Sequence, residues 1–173
     1  SSKIVATTEF GFICQLRDGT VKNIVFLNGK MSTDVRSVGL IGNAHTGNST
    51  VENLYVDVDF SSKTEQENSF VGGVIAQFYN GNGSNSSQTV TMKNVVYAGN
   101  LNTETSGKES ATGGLIGRVY RYSHAVLTDC LYAGTMKATA TGTNSLSDPI
   151  MAWLFSQDTS CKRTRVKTLS DDL

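Results

Sequence analysis

The chain is 173 residues long, carries 15 basic and 15 acidic residues for a formal net charge of +0, and is 38% hydrophobic with a further 17 glycines. That length suits one domain, and the apolar share suffices for a packed core, which argues against disorder. Balanced charge removes any general electrostatic pull toward nucleic acid or an anionic membrane, and no apolar run is long enough to cross a bilayer.

No basic segment followed by an apolar stretch stands at Ser1. The chain opens in the middle of a repeat and reads as a mature product or a piece of a longer protein with further domains. A tetrad of glycine followed by two apolar residues then recurs, at Gly11-Phe12-Ile13-Cys14, Gly39-Leu40-Ile41-Gly42, Gly73-Val74-Ile75-Ala76 and Gly114-Leu115-Ile116-Gly117, with a worn copy at Ala152-Trp153-Leu154-Phe155. Each is followed by a second mark, at Val21-Lys22-Asn23, Val51-Glu52-Asn53, Met92-Lys93-Asn94, Leu127-Thr128-Asp129 and, worn, Val166-Lys167-Thr168. Self-similarity at intervals of about 30 to 40 residues marks a repeat architecture. The polar stretch Tyr79–Ser87 is the largest insertion between marks.

Within each repeat the signals are those of strands. Val56-Asp57-Val58-Asp59-Phe60 alternates with period two, and Ile24-Val25-Phe26 and Val95-Val96-Tyr97 are β-branched and aromatic. No amphipathic helix is legible. A repeat of two or three strands cannot bury its own apolar face, so it must stack on its neighbours. The expected fold is all-β: a parallel β-solenoid (β-helix) of about four to five coils with an irregular C-terminal cap. Residues 1–148 form the repeats, and 149–173 a degenerate last coil or cap of the same domain.

Stacking lets columns be written down. Phe12, Leu40, Val74, Leu115 and Trp153 form one core column, Ile13, Ile41, Ile75, Ile116 and Leu154 a second, and Val21, Val51, Met92, Leu127 and Val166 a third. Lys22, Glu52, Lys93, Thr128 and Lys167 form an outward column of alternating charge. Asn23, Asn53, Asn94, Asp129 and Thr168 form a turn column, expected to point inward, bond the next coil's backbone and tolerate left-handed backbone. As a Ca²⁺ site that column has too little charge.

These residues resemble the GLUG repeat of bacterial surface and secreted proteins, in which a Gly-Leu-x-Gly run precedes an Ile-x-Asn-Cys-Tyr-like strand. Gly39–Gly42, Gly114–Gly117 and Leu127-Thr128-Asp129-Cys130-Leu131-Tyr132 carry the likeness, which covers about Gly11 to Gly142. It implies parallel β-helical coils, a cell-surface or extracellular location, and a role in an adhesin or stalk.

No catalytic set, cofactor motif or metal-ligand spacing is evident. His45 and His124 fall in variable segments. His124 lies near Cys130, which raises a Cys–His pair against the plainer reading of a loop histidine and a core thiol. Cys14 and Cys130 read as small buried hydrophobes, and Cys14, Cys130 and Cys161 leave any disulfide open. Threonines at Thr20, Thr50 and Thr91, and in Thr139–Thr143, raise ice binding against ordinary strand composition. Asn48-Ser49-Thr50, Asn82-Gly83-Ser84 and Asn85-Ser86-Ser87 fit the glycosylation triplet.

The candidate ligand-contacting residues are the aromatic column Phe26, Tyr97 and Tyr132, which would stack on sugar rings if they faced outward and would be packing if they faced inward. Tyr79, Tyr120 and Tyr122 would add to such a face. The basic tail Lys162–Lys167, followed by Asp171-Asp172, reads as the charged cap of a solenoid end. The expected function is a non-catalytic extracellular β-solenoid segment of a bacterial surface protein, an adhesive or spacer module with a host glycan or protein as partner and no membrane insertion. The alternative is a carbohydrate-active β-helix of lyase or hydrolase type, for which Asp57 and Asp59 are the nearest acidic pair on one strand.

Overall fold

The computed structural model describes residues 9–66, 68–79, 87–140, 144–155 and 158–169, and these are nearly all strand, with no α-helix. They wind through five coils. The first holds β1 (Glu9–Phe10), β2 (Ile13–Leu16) and β3 (Thr20–Thr33); the second β4 (Ser37–Val38), β5 (Ile41–Ala44) and β6 (Ser49–Thr64). The third holds β7 (Asn68–Gly72), β8 (Ile75–Tyr79), β9 (Gln88–Tyr97) and β10 (Asn100–Thr105); the fourth β11 (Glu109–Gly113), β12 (Ile116–Tyr120), β13 (Ser123–Tyr132) and β14 (Thr135–Ala140). The fifth holds β15 (Asn144–Asp148), β16 (Met151–Leu154) and β17 (Ser160–Thr168).

Equivalent strands pair in parallel, coil upon coil, and make three sheets. The first is β1-β4-β7-β11-β15 and the second β2-β5-β8-β12-β16. The third and longest gathers β3, β6, β9, β10, β13, β14 and β17. This is a parallel β-solenoid, and its register is the one the columns require. Ile13 pairs with Ile41, Ile41 with Ile75, and Ile75 with Ile116. Val21, Val51, Met92 and Leu127 align in the same way. From Ile41 and Val51 onward these residues lie in one continuous buried core shared by all coils.

The last coil departs from the expected register by three residues. Met151, not Leu154, pairs with Ile116, and Trp153 pairs with Arg118. Ile150 completes the column of Leu40, Val74 and Leu115, its carbonyl accepting from the Leu115 N–H at 3.1 Å. Arg163, not Val166, lies opposite Leu127, and Val166 lies opposite Cys130. Pro149 stands where the other coils have glycine, and the Asp148 carboxylate closes the turn by accepting from the Ile150 and Met151 N–H groups, both at 2.7 Å. β15 pairs along the whole of β11, so the strand before Pro149 belongs to the same coil as the residues after it, and a boundary at 148 cuts that coil in two. Arg163 occupies a core position on the last described coil and is exposed there.

The asparagine column keeps its predicted backbone and loses its predicted direction. Asn23, Asn53, Asn94, Asp129 and Arg165 all have positive φ, between 49° and 59°, so Arg165 rather than Thr168 is the fifth member. That kink turns two successive side chains outward before Leu54 and Val95 return to the core. The amides therefore bond each other at the surface, Asn53 Nδ2 donating to Asn23 Oδ1 at 2.9 Å and Asn94 Nδ2 to Asn53 Oδ1 at 3.0 Å. Arg165 continues the ladder with two bonds to the Asp129 carboxylate, one of them Nη2 to Oδ2 at 2.7 Å, and this holds the carboxyl below its usual range. In the charged column Glu52 and Lys93 approach to 3.9 Å, Lys22 lies beside Glu52, and Thr164 takes the fifth place instead of Lys167.

Tyr97 and Tyr132 are buried, their rings stacked 6.0 Å apart and 5° from parallel. Each fills the space left by a glycine of the tetrad. A Cβ on Gly73 would lie 2.6 Å from the Tyr97 ring, and one on Gly114 2.5 Å from the Tyr132 ring. The two marks of the repeat thus belong together because one is packed on the other. The hydroxyls differ: Tyr97 Oη donates to the Val58 carbonyl at 2.6 Å, whereas Tyr132 Oη is buried without a partner among the described residues. Tyr97→Phe should therefore cost about 1 kcal/mol and Tyr132→Phe close to nothing. Urea denaturation of the two variants checks this, and equal losses would contradict it.

Candidate functional site: the cleft at the outer corner

The tetrad turns the chain from the first sheet into the second. Its last position must be small, because a Cβ on Gly117 would lie 2.8 Å from the Val71 carbonyl and collide with that of Ala76, and one on Gly42 would lie 3.0 Å from Phe10 N and Cys14 O. The turn is sharp enough for the outer faces of the two sheets to meet. From the first sheet come Glu9, Ser37 and Phe70; from the second come Asn43, Gln77, Arg118 and Trp153. Their contacts fill the corner between the two sheets, where Phe70 and Gln77 are fully buried. The Trp153 and Phe70 rings are 5.6 Å apart, and the Arg118 guanidinium lies 4.1 Å from the centre of the Phe70 ring and 4.7 Å from that of Tyr120.

Polar groups converge on this floor. Arg118 donates to Gln77 Oε1 through Nη2 at 2.7 Å and Nε at 3.2 Å, and Gln77 Nε2 donates to Glu9 Oε1 at 2.9 Å. Arg118 is only 9% exposed, and burial, with the nearby Arg36 second, pulls its pKa down to about 10, still charged at neutral pH. Arg36 approaches Phe70 to 5.9 Å. Three buried polar atoms here have no partner among the described residues: Arg36 Nε, Ser37 Oγ and Asn43 Oδ1.

Along the rim runs a second aromatic column, one ring in each coil from the second to the fifth. His45 lies 5.6 Å from Tyr79, Tyr79 5.9 Å from Tyr120, and Tyr120 4.3 Å from Phe155. Tyr79, Tyr120 and Phe155 are half-buried. Burial chiefly, and Arg17 next, push the His45 imidazole below its ordinary pKa.

The expected ligand face lies elsewhere. Tyr97 and Tyr132 point into the core, so these two rings are packing, whereas Phe26 is only partly buried against it, 4.9 Å from the exposed Phe12 ring. The rim column carried a signal all the same: His45, Tyr79, Tyr120 and Phe155 each stand six residues after Gly39, Gly73, Gly114 and Pro149. Tyr79 and Tyr120, singled out as loop-flanking, belong to it; Tyr122 does not pair with it.

The other candidates resolve individually. His124 and Cys130 are six residues apart on one extended strand, about 20 Å, so they form no pair. His124 Nδ1 is 3.0 Å from Ser160 Oγ, and Cys130 Sγ bonds the Thr128 carbonyl at 3.3 Å. Asp59 ties two coils together, accepting from Asn100 N and Nδ2, both at 2.8 Å. Asn48 is a turn residue whose amide oxygen accepts from Thr89 N at 3.0 Å. Thr20, Thr50 and Thr91 align singly, one per coil, with Val126 next. The triplets at Asn82 and Asn85, most of the Tyr79–Ser87 insertion, the end of the Thr139–Thr143 run and Asp171-Asp172 lie outside the described residues. Among the described residues no group of three His, Cys, Asp or Glu side chains could hold a metal, and no helix is long and apolar enough to cross a membrane. A pocket of about 810 Å³ lies at the turn between the third and first sheets, lined by solvated side chains including Asp34, Glu65 and the Lys63–Glu104 ion pair.

No protein-family model, curated protein or solved structure matches the chain.

All three cysteines are free, and Cys14 is exposed rather than buried, because its side chain falls on the outer face of β2 in the first coil. Burial raises the pKa of Cys130. A thiol reagent at neutral pH should label Cys14 in the folded protein and Cys130 only on unfolding. Rapid native labelling of Cys130, read by mass spectrometry, would contradict that placement.

Proposed function

We propose that this chain is a non-catalytic β-solenoid module of a bacterial surface or secreted protein, and that it binds a glycan along the corner cleft. The observation that carries the reading is the rim column: rings repeat coil by coil, about 4.8 Å per step, beside planar amide and guanidinium groups. Partly exposed rings give apolar surface for sugar rings to lie against, and fixed polar groups beside them orient hydroxyls. The location rests on the likeness of Gly39–Gly42 and Gly114–Gly117 to the GLUG repeat. A second reading, cleavage of a polysaccharide, draws on the meeting of Glu9 with the Gln77–Arg118 pair in the same cleft.

Trp153 is the single tryptophan and lies on the cleft floor, so it reports occupancy directly. Titration with a panel of neutral and acidic oligosaccharides should shift its emission, and Tyr120→Ala should weaken binding about ten-fold, the equivalent of about 1.4 kcal/mol. Absence of binding across the panel, or undiminished binding by Tyr120→Ala, would overturn the reading. Release of shorter products would favour the cleaving alternative.

A further inference from the structure

The charge in the cleft is out of keeping with the rest of the chain. The molecule as a whole is neutral, and its other ionic side chains are mostly solvated or paired at the surface. Arg118 is neither. It is almost wholly enclosed, held between the rings of Phe70 and Tyr120, and it makes no ion pair with a carboxylate among the described residues. Both of its hydrogen bonds there go to a single oxygen, Gln77 Oε1. Arg36, from the second coil, approaches the same Phe70 ring with its Nε buried and unpartnered. Two like charges therefore converge on one ring from the second and fourth coils, where low polarity strengthens their repulsion. Glu9, engaged with Gln77, is the carboxylate within this cluster.

A buried guanidinium such as that of Arg118, with a second one near the same ring, is costly to the free protein and is relieved by an anion. Arginine matches a carboxylate in a planar two-bond fork, which lysine does not. Ser37 Oγ and Asn43 Oδ1, 0% and 1% exposed, are further polar atoms here with no partner among the described residues. Neutral sugars would use the rim rings and bring no anion to the guanidinium groups.

The geometry points to an acidic glycan as the ligand of the cleft, with a uronate carboxylate seated against Arg118 and Arg36 while neighbouring sugar rings lie on the Tyr79–Tyr120–Phe155 column. This rests on the glycan reading above and narrows it to a charge class. The positive charge selects the ligand and the rings hold it, so the two contributions separate in mutants.

The test uses the whole chain, Trp153 emission and calorimetry, with polygalacturonate oligomers, neutral galactan oligomers and dextran sulfate as probes, at low salt and at 0.5 M salt. Polygalacturonate should bind at least ten-fold more tightly than galactan at low salt, and salt should narrow the gap. Arg118→Gln should abolish the preference, bringing polygalacturonate down to the affinity of galactan, and Arg36→Gln, which serves if the first variant misfolds, should reduce it. Equal affinity for the acidic and neutral probes, or a preference that survives both variants, would overturn the inference and leave the glycan reading standing. Dextran sulfate binding as tightly as polygalacturonate would overturn the assignment of a carboxylate. Silence with every probe would remove the glycan reading itself.

Discussion

A side chain on Gly114 would have nowhere to go. Its Cβ would collide with the carbonyl of Pro149 in the next coil and press on the ring of Tyr132 from its own. Gly39 and Gly73 meet the same constraint, each against a carbonyl of the following coil. Parallel coils stack at the spacing of hydrogen-bonded strands, and a corner that turns within two or three residues brings backbone against backbone at that spacing. Glycine at the corner is what lets each copy lie on the next. The core columns of isoleucine, leucine and valine can only form once that contact is made.

The same corner produces the cleft. Because the first and second sheets turn so sharply, their outer faces touch, and residues that would be solvent-exposed on a flat sheet become a floor: Phe70, Gln77, Arg118 and Trp153. Repetition then places one rim ring in each coil from the second to the fifth. Fold and candidate site thus share a single cause, and the site is a property of stacked copies that no isolated repeat could provide.

Much of this was legible beforehand. Four copies of glycine followed by two apolar residues gave the coils, their order and their register, because inward positions leave little freedom in residue type. The fifth copy misled for a physical reason. Its corner meets no further coil among the described residues, so glycine is not demanded and Pro149 stands there; Ala152-Trp153 imitated the motif by composition alone. The asparagines betrayed their left-handed backbone by type, yet the direction of their side chains follows from the kink that this backbone makes, which a column of letters does not contain. The aromatic strand positions were read as a column correctly, but whether a column faces in or out depends on the empty space above glycine, and that space is filled by Tyr97 and Tyr132. The cleft was the least legible part, because it joins outward residues of two sheets whose angle no local pattern encodes.

The most direct test of the stacking account is the stability of Gly114→Ala beside that of Gly19→Ala. At Gly19 the nearest atom to an added Cβ is the end of the Leu16 side chain, which can move, whereas at Gly114 it is backbone of the neighbouring coil. Denaturant unfolding should show Gly114→Ala losing at least about 2 kcal/mol, with Gly19→Ala losing clearly less. A Gly114→Ala protein as stable as the parent would mean that the fourth and fifth coils do not meet at this corner, and the stacked register would be wrong.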